Sequence, residues 1–188
     1  IGAAAVGNIG AYRQEVKNII VKVITNSGEF TNSECKFGYR DSFFKENKDY
    51  LVTAVQFKLM KNKNVKDAYE EIVKIRKSKL PDWTKVGTAG SFFKNPIITN
   101  NQLSKINNQV KNLQTYPTDN PNLVKIPAGR LLDELGWRGK KIDHVSTHNK
   151  HALVIINLGG AMGQEIFDYA EMMRGDIKKN FDIELEYE

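Results

Sequence analysis

Gly87-Thr88-Ala89-Gly90-Ser91-Phe92-Phe93-Lys94-Asn95-Pro96 is the stretch on which the reading of this chain turns. It sets a small-residue turn, the Ser91 hydroxyl and two further polar groups among bulky aromatics. Gly90 has no side chain and lets another molecule approach the backbone, while Phe92 and Phe93 can wall Ser91 off from water. Two readings of these residues compete. In one, a shielded hydroxyl belongs to a functional site. In the other, the segment is a turn entering a strand, with Ser91 bonded to its own backbone and the phenylalanines in the core.

Working back from this stretch, Val65, Ala68, Tyr69, Ile72, Val73 and Ile75 recur at helical spacing. The helix ends in Arg76-Lys77-Ser78-Lys79-Leu80-Pro81, where cations suit a helix C-terminus and the proline stops it; capping is therefore one explanation of Lys79. Residues 49–59 read as a strand. Residues 19–25 are β-branched, then Asn26-Ser27-Gly28-Glu29 punctuates and Phe30 resumes, which predicts a hairpin. Between them, residues 34–44 place Arg40, Asp41 and Ser42 among aromatics, so a guanidinium is either held against flat rings or paired with a carboxylate such as Asp41.

Working forward, residues 100–113 read as a polar amphipathic helix, and 128–135 as a short helix closed by Gly136. Residues 151–157 form a buried strand, 163–179 a further helix, and the alternation over 183–188 a closing strand. Helices and strands without strict alternation predict an α+β fold.

With 188 residues, 40% of them hydrophobic, the chain can bury one sizeable core or two modest ones. The net charge of +6 admits an anionic partner, but Lys58, Lys61, Lys63 and Lys66 are scattered among Asn and other polar residues. That pattern suits a solvated face better than a nucleic-acid arm. Cys35 is the one cysteine, which rules out an internal disulfide and fits a reducing compartment. His148 and His151 have one-face spacing, but no further ligand joins them and His144, so no metal site is expected. No apolar run is long enough to span a bilayer. The Gly/Ala-rich opening, residues 1–12, is neither a Walker loop nor a dinucleotide fingerprint, because its glycine spacing is wrong and no strand of the chain precedes it. A chain opening at Ile1 and closing inside a strand is expected to be part of something longer.

Four pieces in order carry a resemblance: Val6-Gly7-Asn8-Ile9-Gly10-Ala11-Tyr12; Phe37-Gly38-Tyr39-Arg40-Asp41-Ser42; Lys79-Leu80-Pro81 leading to Ala89 through Pro96; and Leu185-Glu186-Tyr187-Glu188. Ala128-Gly129, Lys150-His151-Ala152-Leu153-Val154 and Asn157 extend it. Together they make the chain similar to the UDP-N-acetylenolpyruvoylglucosamine reductase family, flavoenzymes of bacterial cell-wall precursor synthesis.

The resemblance implies that NADPH reduces FAD and that hydride then passes to the enol ether of UDP-N-acetylglucosamine enolpyruvate. It matches Ser91 to the proton donor, Arg40 to the cation that meets developing negative charge, and Glu188 to the carboxylate that assists protonation. Lys79 and Asn95, with Tyr39, match substrate contacts. Asn8, Ile9, Gly10, Ala11 and Tyr12 match a turn that meets the flavin, and Arg76 is carried over as an anion contact for the cofactor. By the same resemblance the fold is the distal part of an FAD-binding α+β domain, residues 1–80 joined by 184–188, plus a smaller α+β substrate domain, 81–183. A cytoplasmic monomer that engages neither nucleic acid nor membrane is expected.

Three departures accompany it. The half of the FAD domain that cradles the pyrophosphate would precede Ile1, so this piece is expected to bind FAD poorly. Ala5 and Gly7 stand where proline and glutamine are usual. After Leu59 there is only a short polar link where many members insert a tyrosine-bearing loop, although the aromatic motifs resemble the long-loop members. The rival reading, a non-catalytic fragment that binds a UDP-sugar or another anion without flavin, predicts a colourless protein. Nucleic-acid binding, which rests on charge alone, predicts strongly salt-dependent affinity.

Overall fold

The computed structural model describes residues 8–9, 14–59, 61 and 65–188. The chain separates into two compact units, Ile1–Ser78 and Lys79–Glu188.

In the first unit, β1 (Asn8–Ile9) pairs antiparallel with β2 (Gln14–Glu15). The hairpin expected from residues 19–30 is present: β3 (Ile20–Thr25) and β4 (Gly28–Thr31) are joined by Asn26-Ser27. Thr25 Oγ1 donates to Gly28 O at 2.9 Å and accepts from Ser27 N at 3.1 Å, and Gly28 takes φ +143°, which side chains disfavour. After the single-turn helix α1 (Phe43–Glu46), β5 (Val52–Phe57) pairs with the other edge of β3, giving the order β4-β3-β5. β5 is shorter than the 49–59 expected because Tyr50 N turns back onto Asn47 O. Ile20, Val23 and Cys35 form a small core, with Phe30 and Phe44 packed against it. Then α2 (Val65–Lys79) ends where its cationic tail and Pro81 predict.

The second unit holds the larger core. Its main sheet runs β10 (Lys141–Ile142), β11 (Val145–His148), β12 (His151–Asn157), β6 (Gly87–Ser91), all antiparallel. A smaller sheet runs β7 (Ile97–Thr99), β9 (Leu123–Lys125), β8 (Tyr116–Pro117). Helix α4 (Ala128–Glu134) buries Ala128, Leu131 and Leu132. Helix α5 (Gly163–Phe181) buries Tyr169, Ala170, Met173, Ile177 and Phe181, at the three-and-four spacing of one helical face. Each large apolar side chain so buried contributes roughly 1.5–3 kcal/mol.

A polar network closes this core. Tyr169 OH donates to Lys140 O at 2.6 Å and accepts from Thr147 N at 3.1 Å, Thr147 Oγ1 donates to Trp137 O, and Trp137 Nε1 donates to Asp176 Oδ2 at 3.0 Å.

Two further elements differ from expectation. Helix α3 is Asn100–Asn107, not 100–113. Thr99 and Gln102 start it with a capping box, but Asn108 ends it, Val110 turns into the core and Asn112 takes φ +56°. The closing segment makes one isolated bridge, Tyr187 with Phe93, instead of a ladder. Its alternation survives in burial: Ile183 and Leu185 are buried while Glu184, Glu186 and Glu188 are exposed. Residues 184–188, joined by the sequence reading to residues 1–80, fall within the second unit because they pair with residues 92–94 of that unit. Among the described residues no helix is long and apolar enough to cross a membrane.

Candidate active site

Ser91 closes β6, opposite Val154 of β12. Ile155 faces Gly90 and Ile156 faces Thr88, so Ala89 is an extra residue in β6, a β-bulge. Gly90 sits in the bulge at φ +69°, and a Cβ built there meets nothing within 4 Å. The stitching of the bulge falls to Thr88: its hydroxyl donates to Ile155 O at 3.0 Å and accepts from Gly90 N at 2.9 Å. The local turn chemistry that one reading gave to Ser91 is therefore performed three residues earlier. Ser91 itself is half-buried. Phe93 is fully buried core and Phe92 is half-buried, with their rings edge to face at 5.6 Å.

The backbone after Ser91 is held on both sides. Phe92 N donates to Leu153 O of β12 at 3.0 Å, while Phe92 O accepts from Glu188 N at 3.0 Å and Lys94 N donates to Glu186 O at 2.8 Å. Ser91 and Glu188, 97 positions apart in the chain, thus lie on adjacent backbone segments. Lys94 and Glu186 add an ion pair at 2.9 Å across the same seam. Asn95 spends its side-chain oxygen on Ala128 N at 3.0 Å, so it fixes the start of α4. Lys79 is exposed at the end of α2. Burial holds the His151 imidazole below its ordinary pKa; Asp133 opposes, and His148, Arg138 and, least of all, Lys79 reinforce. Burial is the leading cause, and His151 Nδ1 accepts from Leu153 N at 3.3 Å as a neutral ring can. Among the described residues no group of three or more His, Cys, Asp or Glu is placed to hold a metal ion.

In the first unit, Arg40 occupies an unusual backbone. It takes φ +55° inside a tight turn in which Gly38 N donates to Asp41 O at 3.0 Å and Asp41 N to Gly38 O at 3.4 Å. Lys45 Nζ donates to Arg40 O at 2.8 Å, locking the carbonyl. A long side chain held left-handed costs roughly 1–3 kcal/mol, a strain that persists at functional positions. Tyr39 and Arg40 are half-buried, and Arg76 is exposed on α2. Asn8 and Ile9 form β1 facing Glu15 and Gln14. Gly10, Ala11 and Tyr12 lie outside the described residues.

The family model for the UDP-N-acetylenolpyruvoylglucosamine reductase C-terminal domain matches residues 82–188, the part of the chain that contains Ser91, Asn95 and Glu188. The chain belongs to this family. It is 37% identical to the UDP-N-acetylenolpyruvoylglucosamine reductase of Bacteroides fragilis over 98% of its own length and 63% of that protein's. It is 35% identical to that of Burkholderia ambifaria, over 100% and 62%. The crystal structure of the reductase from Thermus caldophilus superposes with a TM-score of 0.66 over the whole chain and 59% of that protein, at 23% identity, which supports the α+β fold. The chain therefore spans about three fifths of the length of the relatives it matches.

Within this reductase fold the sequence reading missed three contributors. Thr88 was passed over as part of a turn, although a hydroxyl two residues before a glycine is the signal for side-chain stitching. Lys45 was not singled out, since a lone lysine carries no sequence signal of the Arg40 carbonyl it bonds. Tyr187 was one letter of an alternating strand, although an aromatic set between two glutamates, opposite a Phe-Phe pair, signals ring packing.

Proposed function

We propose that this chain carries the substrate-protonating part of an NADPH-dependent, FAD-containing reductase that converts UDP-N-acetylglucosamine enolpyruvate to UDP-N-acetylmuramate. The observation that carries the reading is the seam at Phe92: it brings the backbones of Ser91 and Glu188 together, as proton donor and assisting carboxylate require. When bound, the flavin supplies hydride received from NADPH. The open space beside the Gly90 Cα, where a Cβ would meet nothing, fits the approach of a flat ligand to the Ser91 backbone.

Hydride added to the enol ether leaves negative charge on the neighbouring carbon and its carboxylate. In this reading Arg40 offsets that charge and Ser91 Oγ gives its proton to the carbon. A serine hydroxyl is a weak acid, so a cation near the developing alkoxide is needed; Lys79 is assigned that part, and Glu188 assists the proton transfer. Asn95, held at the start of α4 through its side-chain oxygen, would contact substrate. Tyr39 would add a substrate contact, and Asn8 to Tyr12 with Arg76 would meet the cofactor. The reading makes the protein a cytoplasmic monomer acting on a small molecule, with the first unit carrying the flavin-binding role and the second the substrate-binding role.

The test is spectroscopic. Full-length protein should be yellow, bleach with NADPH, and recover its colour on addition of UDP-N-acetylglucosamine enolpyruvate under argon. A colourless protein that still binds the UDP-sugar contradicts the reading.

A further inference from the structure

The segment 183–188 has one bridge and no ladder, so beyond its buried Ile183 and Leu185 and the Lys94–Glu186 pair its last residues need a further hold. Tyr187 supplies that hold. Its ring stacks on Phe93 with centroids 5.5 Å apart and planes 23° apart, meets Phe92 edge-on at 5.6 Å, and leans on Phe167 of α5 at 5.7 Å. The Arg174 guanidinium stands 5.7 Å over the same ring. The flanking backbone bonds, Lys94 N to Glu186 O and Glu188 N to Phe92 O, bracket the stacked pair. Phe93 belongs to the buried core, so the ring ties the end of the segment to the most rigid part of the unit.

The hydroxyl of Tyr187 has no part in this. It is buried and finds no hydrogen-bond partner among the described residues, a state that costs stability. What Tyr187 adds to the backbone bonds and the Lys94–Glu186 pair therefore comes from its ring.

We propose that Tyr187 is a positioning residue: its ring, clamped between Phe92, Phe93, Phe167 and Arg174, fixes the backbone of Glu188 against Phe92 and so beside Ser91. The proposal rests on the reading of Glu188 as the carboxylate that assists protonation. It explains why a segment with so little backbone pairing can carry a group that must be placed to within a fraction of an ångström.

The experiment uses the full-length flavin-loaded protein and the variants Tyr187→Phe, Tyr187→Leu and Glu188→Gln. Leu keeps the site apolar, which guards against global unfolding, and NADPH reduction of the flavin reports that each variant is folded and loaded. Two quantities are read: hydrogen exchange at the Glu188 amide, and the rate at which reduced flavin is reoxidised by the enolpyruvyl substrate as a function of pH. Tyr187→Leu should expose the Glu188 amide and slow reoxidation by about tenfold or more, the factor that 1.4 kcal/mol represents. Its pH profile should move toward that of Glu188→Gln, with flavin reduction unchanged. Tyr187→Phe should match the native protein in both quantities. A Tyr187→Leu variant that keeps amide protection, or that reoxidises at the native rate while Glu188→Gln is slow, overturns the positioning role. Native reoxidation in Glu188→Gln overturns instead the reading of Glu188 as a participant, and the exchange data then still decide whether the ring is the anchor.

Discussion

Replacing Gly90 with alanine isolates the device that delivers Ser91 to the end of β6. The glycine lies in the bulge opposite Ile155 at φ +69°, and a Cβ at that position would meet no atom within 4 Å. Steric crowding is therefore absent, and the whole penalty is conformational: an L-residue in the left-handed region costs roughly 1–2 kcal/mol. If the bulge persists in Gly90→Ala, that is the loss expected. The alternative relaxation draws Ala89 into the ladder and slips the register by one, which turns Ser91 to the opposite face of the sheet. Urea unfolding followed by tryptophan fluorescence suits the question, because Trp137 is 1% exposed and Trp83 78%, so the signal reports the second unit. With a urea slope of about 2 kcal/mol/M, the midpoint should fall by roughly 0.5–1 M with the slope unchanged. Gly90→Asn should lose less, since asparagine visits the left-handed region more readily than alanine. An unchanged midpoint in Gly90→Ala, or equal losses in the two variants, would refute the claim that a left-handed residue is what makes the bulge.

Tyr169→Phe should cost about 1–3 kcal/mol, because the buried Lys140 carbonyl and Thr147 amide lose their shared partner together; calorimetry measures the loss, and the Thr147 amide should exchange faster. Thr99→Ala removes the hydroxyl that accepts from Gln102 N at the start of α3, while the backbone N–H at position 99 can still donate to Gln102 Oε1, and should cost about 1 kcal/mol, read as fraying of the first turn by amide exchange. His151 gives a pH signature. Its folded pKa lies below the ordinary 6.5 because it is buried, so the unfolded chain takes up the proton first as pH falls. Stability should be flat above that value and decline as pH drops from 6.5 toward the folded pKa, and His151→Gln should remove this part of the decline in urea titrations at successive pH values.

Much of the fold was legible where local chemistry and tertiary context agree. Asn26-Ser27-Gly28 makes a hairpin because glycine tolerates φ +143° and Thr25 closes the turn with its own hydroxyl. Pro81 and the lysine-rich tail end α2 where expected, and the buried face of α5 follows helical periodicity. Legibility failed where tertiary packing overrode a pattern. Residues 108–113 keep an amphipathic spacing, yet Val110 is drawn into the core by a turn that Asn108 and Asn112 accommodate. The 183–188 alternation does sort buried from exposed residues, but periodicity says nothing about which neighbour pairs, and Phe93 of the second unit supplied the partner. The same holds at the candidate site. Ser91 could be singled out from its neighbours, whereas the bulge, the Thr88 stitch and the Tyr187 ring packing depend on β12, α5 and residues 92–94, which lie far away in sequence.

The central claim is that Ser91 gives the proton that completes reduction, and stopped-flow spectroscopy of the full-length Ser91→Ala variant tests it most directly. Flavin bleaching by NADPH should proceed at the native rate, and reoxidation by UDP-N-acetylglucosamine enolpyruvate should fall by several orders of magnitude. Reoxidation at the native rate would contradict the account.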